Sequence, residues 1–371
     1  MASQLCSPPP TVRRFCVANL GTNVLDYSKT WTYSESGTRE FGSLRSWSSR
    51  EGYAPEMSLF APVLVTGFNR PELLEEQLQS LFKMGCKVYL SLDVPKIGDL
   101  ANAESSRKCI SIADRFLADL VGVRISNENL GCFRGITEAI TWGFGQEKIL
   151  IILEDDVRVN EIFLSYSTKM LADFESNPTV GSIAGTNFVP KSHITDKNNS
   201  VRFSAFTSSW GWATWSDRWS DYLQDLETFP SQNFSFPTNF WSLTSKRYWK
   251  KVFEDTARGK YDAWDYRWLY SNWKHRRLTV VPNSNLVINV GFGEGATHTQ
   301  DANLPWWLPR EIENSFKVLG IPSLTIRDER ADRWIEENHY RTKVFQQLRG
   351  EFSSKFPRSA MAYRRVVGRA Q

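Results

Sequence analysis

From residue 62 to residue 185 short apolar runs alternate with amphipathic stretches, and this alternation constrains the fold more than anything else in the chain. "PVLVTGF" (62–68) reads as a buried strand. Pro71 follows, and it suits the first turn of a helix because the N–H it lacks has no partner there. "ELLEEQLQSLF" sets Leu74, Leu78, Leu81 and Phe82 on one face. "KVYLSLD" (87–93) is a second strand. Residues 101–119 read as a helix with Ile110, Ala113, Phe116 and Leu117 inward. "GVRISN" is a third strand, "GITEAITWGF" (135–144) a helix, "ILIIL" a fourth strand, 160–174 a helix and "VGSIAG" (180–185) a strand. The pattern predicts an α/β fold, a mostly parallel sheet with helices on both faces. In such sheets ligands sit beyond the carboxyl ends of the strands. Three strands here end in polar residues: Asn69-Arg70, Asp93 and Glu154-Asp155-Asp156.

Four segments follow from the pattern. Residues 1–57 are rich in Ser, Thr and Gly and weakly periodic, as in an irregular arm. Residues 58–186 carry the alternation. From 187 to 310 it fades and tryptophan rises: nine of the fifteen lie between Trp210 and Trp273, in what reads as an α+β half with long ordered loops. "PKSHITDKNNS" (190–200) is polar enough to be a mobile loop. Residues 311–371 end in a basic, partly helical tail.

Composition excludes several classes. With 41% hydrophobic residues in 371, the chain can bury a sizeable core and is not globally disordered. A net charge of +4 is too mild to imply nucleic acid. The tail is different: Arg341, Lys343, Arg349, Lys355, Arg358, Arg364, Arg365 and Arg369 face one acid, Glu351, so it either lies on anionic lipid or is a solvated basic end. Five scattered cysteines make no disulfide or metal pattern, which favours a reducing compartment. Apolar runs stop near five residues, against roughly 20 for a membrane span. The N-terminus lacks the apolar core of a signal peptide. A cytoplasmic protein, peripheral on the inner membrane face, is expected.

The carboxylates carry the chemistry. Three adjacent acids at a strand end repel one another, and a hard divalent cation, Mn²⁺ or Mg²⁺, removes that cost while sharing oxygens with substrate phosphates. The competing reading is a strand end that enters solvent. Asp93, closing an earlier strand, favours a site.

An apolar strand ending in an acidic triplet resembles the DxD-type motif of GT-A glycosyltransferases, with their Rossmann-like sheet. "PVLVTGFNRPELLEEQLQSL" is similar to their first strand and helix, and "VYLSLD" to the second strand. "NENLGCFRGITEAITWGF" before "ILIILEDD", then "SSWGWATW", "YDAWDYRW" and "GFGEGATHT", resemble the bacterial hemolytic-protein-like glycosyltransferases. The likeness covers residues 60 to 300, and N-acetylglucosaminyltransferase I is similar more distantly. It implies that Thr66, Phe68, Asn69 and Arg70 edge a nucleotide pocket and that Asp93 accepts from a uracil-like base. It also implies that Glu154 and Asp155 face the ribose and base, and that Asp156 binds the metal carrying the diphosphate. The arginine fork of Arg70 suits phosphate or ribose oxygens. Arg134 either reaches the sugar or phosphate or stays on the surface. His298 is either a late metal ligand or structural.

Within "YDAWDYRW", Asp262 and Asp265 stand three apart and would share a helix face. The resemblance implies an inverting enzyme with Asp265 as base; both acids as helix decoration is the other reading. Trp210 and Trp212, flanked by Ser208, Ser209 and Gly211, suit an acceptor-sugar platform, against a role in the core. Trp215 and Trp219, at helical spacing, read as core. The expected activity is metal-dependent transfer of a sugar from a nucleotide sugar, UDP-linked, to a carbohydrate or lipid-linked acceptor in surface polysaccharide or glycolipid synthesis. Two alternatives are a sugar-phosphate nucleotidylyltransferase and a non-catalytic carbohydrate-binding protein on a transferase scaffold. The nucleotidylyltransferase needs a glycine-rich basic loop after the first strand, where "TGFNRPELL" has one glycine.

Overall fold

The computed structural model describes residues 58–231, 242–291, 308–340 and 342. The arm 1–57, His298 and, apart from Thr342, the basic tail from Arg341 on lie outside them. The elements below belong to the unit Leu59–Gln371.

The chain opens with β1 (Val63–Gly67), α1 (Pro71–Lys83), β2 (Val88–Leu92), α2 (Leu100–Arg115), β3 (Gly122–Ile125), α3 (Gly131–Phe144) and β4 (Ile149–Glu154). It continues through β5 (Val157–Arg158), α4 (Glu161–Asp173), β6 (Val180–Ala184), β7 (Val201–Ser204), β8 (Trp212–Trp215) and α5 (Ser216–Leu226). Then come α6 (Leu243–Ala257), α7 (Asp265–Lys274), β9 (Leu278–Pro282), β10 (Ile288–Asn289) and α8 (Glu329–Trp334). Eight strands form one sheet in the order β3-β2-β1-β4-β8-β6-β9-β7, and β10 pairs with β5 in a separate ladder. The β3-β2-β1-β4 half is parallel throughout. β8 runs antiparallel to both β4 and β6, and β7 antiparallel to β9. The expected α/β class holds, with strands from both halves of the sequence in one sheet.

Alternate side chains of the parallel strands point to opposite faces. Val63 and Val65 pack with Leu74 and Leu78 of α1, Ile112 of α2 and Phe163 and Met170 of α4. Leu64 and Ile152 pack on the other face with Ile140 of α3, Trp219 and Tyr222 of α5 and Trp268 of α7. A third cluster joins Trp249 and Phe253 of α6, Trp273 of α7 and Trp334 of α8. Each fully buried aromatic side chain of this kind stabilises the fold by about 2–3 kcal/mol before entropy is counted.

Three expectations change. α2 buries Ser106, Cys109, Ile112 and Ala113, so its inward stripe is rotated from the expected one, and Phe116 closes the helix. α3 begins four residues earlier than its apolar pattern, at Gly131. "PKSHITDKNNS" is fastened rather than loose: Ile194 is buried, and Thr195 donates from N and Oγ1 to the two carboxylate oxygens of Asp328 at 2.8 and 2.7 Å. Among the described residues no helix is long and apolar enough to cross a membrane.

Candidate active site

The register of the parallel strands builds the site. Thr66 stands opposite Ser91 on β2 and Glu154 on β4. One residue on, Asp93 N donates to Gly67 O and Asp155 N to Thr66 O, both at 3.0 Å. Three strands therefore end level, and the polar residues after them meet in a cleft of about 800 Å³. Thr66, Phe68, Arg70, Asp93, Glu154, Asp155 and Asp156 all line it, as do Trp210, Asp262 and Asp265 from the later half.

Arg70, at the start of α1, spans the acidic triplet. Its Nη2 lies 2.5 Å from Asp155 Oδ1, and its Nη1 pairs with Asp156 Oδ2. Asp155 and Asp156 are 1% and 6% exposed. Arg158 fixes the same turn to α1, donating to Asp155 O at 2.8 Å and Leu73 O at 3.1 Å. Among the described residues one guanidinium is thus in direct contact with the triplet, through two of its three carboxylates, Asp155 and Asp156. Burial and the neighbouring charges of Asp156 and Asp155 push the Glu154 carboxyl up to about 8. Burial raises Asp155 to about 6 even with Arg70 beside it. Burial also raises Asp93, whose carboxylate accepts from Leu130 N at 3.2 Å and so holds the loop entering α3.

The ladder between β10 and β5 brings a second segment to the triplet. Val290 N donates to Asp156 O at 2.8 Å, and Asn289 Nδ2 lies 3.4 Å from Asp156 Oδ1. Gly291 follows, and a Cβ there would penetrate Asp156 Oδ2 and come within 2.7 Å of Arg70 Nη1. Only glycine lets the backbone pass this close to a carboxylate. Asn289 and Gly291 were not singled out from sequence. The sole legible signal was the glycine-rich run that Gly291 opens.

Other expected residues part company. Asp262 accepts from Cys132 N at 2.9 Å and Phe133 N at 3.1 Å, satisfying the first free donors of α3. Gly131, at φ +72°, has a notional Cβ 2.8 Å from the same carboxylate. Asp262 thus serves as a helix cap supplied from 130 residues away. Asp265 is the first residue of α7, where the helix field favours a carboxylate. Trp210 is half-buried and borders the cleft. Trp212 corrects the platform expectation: it is 0% exposed, packed at ring-centroid distances of 5.3 Å from Trp264 and 5.5 Å from Trp268, so no ligand reaches it. Trp215 and Trp219 are buried as expected, although Trp215 ends a strand. Asn69 donates to Asn102 Oδ1 at 2.6 Å and borders α2 instead of the cleft. Arg134 is exposed, 3.4 Å from Glu138 and 3.6 Å from Glu128, and does not line the cleft.

The donor set of the triplet suits a hard divalent ion: it is all oxygen, in excess over the one cation paired with it among the described residues. Among the described residues no group of three or more His, Cys, Asp or Glu side chains is close enough to hold a metal by itself.

No protein-family model and no curated protein matches the chain. Among solved structures 70 chains match. One is GalNAc-T7 with UDP, GalNAc and Mn²⁺, at 10% identity and TM-score 0.36, covering 60% of this chain and 43% of that one. Another is UDP-glucose pyrophosphorylase complexed with UDP-glucose, at 8% identity and TM-score 0.30, covering 60% and 90%. A third is mannose-1-phosphate geranyltransferase from Thermus thermophilus, at 11% identity and TM-score 0.28, covering 60% and 73%. This chain therefore spans less than half the length of the GalNAc-T7 chain.

Proposed function

We propose that the protein is a metal-dependent, inverting glycosyltransferase that moves a sugar from a nucleotide sugar, UDP-linked, to a carbohydrate acceptor. One observation carries the reading: Arg70, Asp93 and the acidic triplet end three level strands, in one cleft with Asp265.

In this reading the chain's own residues do the following. Thr66, Phe68 and Asp93 bind the nucleoside, and Arg70 turns from the triplet toward phosphate oxygens, to which its fork is matched. Glu154 and Asp155 face the ribose and base, Asp156 would hold Mn²⁺ or Mg²⁺, and His298 is a further candidate ligand. The ion, when bound, supplies a Lewis acid for the leaving diphosphate. The acceptor hydroxyl oxygen bonds to the anomeric carbon as the carbon–oxygen bond to the diphosphate breaks and its electron pair leaves with the phosphate. Asp265 takes the hydroxyl proton. Asp262 is a positioning residue through the start of α3. The short turn Phe68–Arg70 after β1 favours transfer over nucleotidylyl chemistry, which needs a longer phosphate-cradling loop there.

Thermal unfolding with UDP, Mn²⁺ or both tests the reading. Stabilisation that requires both is expected, and Asp156→Ala should abolish it while the unliganded protein stays folded. A shift with simple sugars alone, and none with UDP and Mn²⁺, would leave a carbohydrate-binding protein instead. The basic tail fits a peripheral place on anionic lipid. Failure to sediment with phosphatidylglycerol vesicles at low salt would remove that part.

A further inference from the structure

A second cavity of about 230 Å³ adjoins the cleft. Ser209, Trp210, Asp265 and Tyr266 border both spaces, so the candidate base stands where they meet. We propose that this cavity is the acceptor subsite and that it takes one neutral sugar ring, with a hydroxyl of that ring directed at Asp265. The inference rests on the transferase reading and adds the class of acceptor to it.

Size, walls and charge each bear on it. The volume falls below the roughly 300–1,000 Å³ of drug-sized ligand sites, which suits a single ring and not two. Phe206, Trp210 and Tyr266 supply aromatic surface, and Thr186, Ser208 and Ser209 supply hydroxyls. A sugar ring has apolar C–H faces and a polar rim, and this mixture matches it. Thr186 Oγ1 donates to Trp210 O at 2.7 Å, which fixes the aromatic wall to the end of β6 and leaves the hydroxyl oxygen able to accept.

Among the described residues the cation on the wall is Arg202 of β7, 3% exposed. Its Nη1 donates to Pro282 O at 3.2 Å and Asn283 Oδ1 at 3.1 Å, and its Nη2 to Asn187 Oδ1 at 2.8 Å. The carboxylates of Asp328 and Asp332 lie within electrostatic reach and offset its charge. Both face it from α8 and the residue before it, and Asp332 is itself fixed by Ser204 Oγ and Ala205 N at 2.6 and 2.9 Å. Arg202 thus spends both Nη atoms on acceptors of the fold, with Asp328 and Asp332 nearby, and is not presented to a carboxylate or phosphate in the cavity.

The test is saturation-transfer NMR on the full chain loaded with UDP and Mn²⁺. The probes are methyl glycosides of glucose, galactose, mannose and N-acetylglucosamine, with methyl glucuronide as the anionic counterpart. Ser208 and Thr207 line the smaller cavity only, so Ser208→Phe and, separately, Thr207→Tyr fill it without entering the donor cleft. At least one neutral glycoside should bind at millimolar concentration, lose about tenfold in affinity in each filled variant, and outcompete the glucuronide. UDP affinity by calorimetry should be unchanged in both variants. Glycoside binding that survives both fillings, or absent from the loaded wild type, overturns the subsite. Glucuronide binding as tightly overturns neutrality. Loss of UDP binding already in the wild type removes the transferase reading, and this inference with it.

Discussion

Arg70 Nη2 sits 2.5 Å from Asp155 Oδ1 while Nη1 of the same guanidinium pairs with Asp156 Oδ2, so one side chain bridges two neighbouring carboxylates that are nearly free of solvent. A buried carboxylate deprived of its only paired cation costs several kcal/mol. Arg70 is thus the internal counter-charge of the site, and any other cation at Asp156 must compete with it.

Arg70→Ala separates these two roles. Unfolding free energy at pH 7 should fall by about 3 kcal/mol. The deficit should shrink toward pH 5, because the folded variant then gains protons at the triplet more readily than the unfolded chain. Millimolar Mn²⁺ should recover part of the loss, and Mn²⁺ affinity without nucleotide should rise above wild type. Urea titrations with and without Mn²⁺ would read this. A deficit indifferent to both pH and Mn²⁺ would show that the pairing is incidental.

Gly291→Ala probes the approach of the β10 segment. Its methyl group would overlap Asp156 Oδ2, so the carboxylate or the strand end must shift. Binding of UDP with Mn²⁺ should weaken by about tenfold or more, about 1.4 kcal/mol, with a smaller change in unliganded stability. Calorimetry on the variant checks it.

The two acids of "YDAWDYRW" should respond in opposite ways. Asp262→Ala removes the cap of α3 and should cost about 1–2 kcal/mol of stability. Asp265→Asn should leave stability and UDP binding near wild type and suppress transfer by about 10² or more. Unfolding curves and single-turnover transfer on the same preparations compare them. Wild-type transfer in Asp265→Asn would end its candidacy as base.

Trp210→Ala and Trp212→Ala make a similar pair. Trp212 fills the core between Trp264 and Trp268, and its truncation should cost about 3–5 kcal/mol. Trp210 borders both cavities, and its loss should weaken glycoside binding with a smaller stability change.

His339 gives a pH dependence of stability. Its ring lies 4.9 Å from Phe188 at 13° between planes, and burial lowers its pKa to about 4. The unfolded chain takes up this proton near pH 6.5, so between pH 6.5 and 4 the unfolded state binds more protons than the folded one. Stability from this group is then fully present above about pH 6.5 and declines as pH falls toward 4, by about 3 kcal/mol. In His339→Phe that part of the slope should vanish. Denaturation midpoints at pH 7.5 and 4.5 would show it.

Much of the first half was legible in sequence because its information is local. Periodicity fixes β1, α1, β2 and β4, and it places Arg70, Asp93 and the triplet at strand ends, since a strand's side-chain direction and a helix's buried face repeat over a few residues. The sequence by itself therefore determined the α/β class and the acidic edge. What only the tertiary structure decided depends on contacts between distant segments. The start of α3 is set by Asp262, 130 residues on, and the openness at Asp156 by a strand that joins β5 from β10. Trp210 and Trp212, two apart, would share a face of a continuous strand; they are told apart because the chain turns at Gly211, at φ +60°, so Trp212 enters the core as β8 begins and Trp210, before the strand, stays at the cleft. Asp262 and Asp265 are separated by their packing too: Asp262 caps α3 from a distance, whereas Asp265, which accepts from Tyr266 N at 2.9 Å, stands at the junction of two cavities. Local pattern names the residue types a site needs; which of two similar residues faces it is decided by the packing partner each one finds.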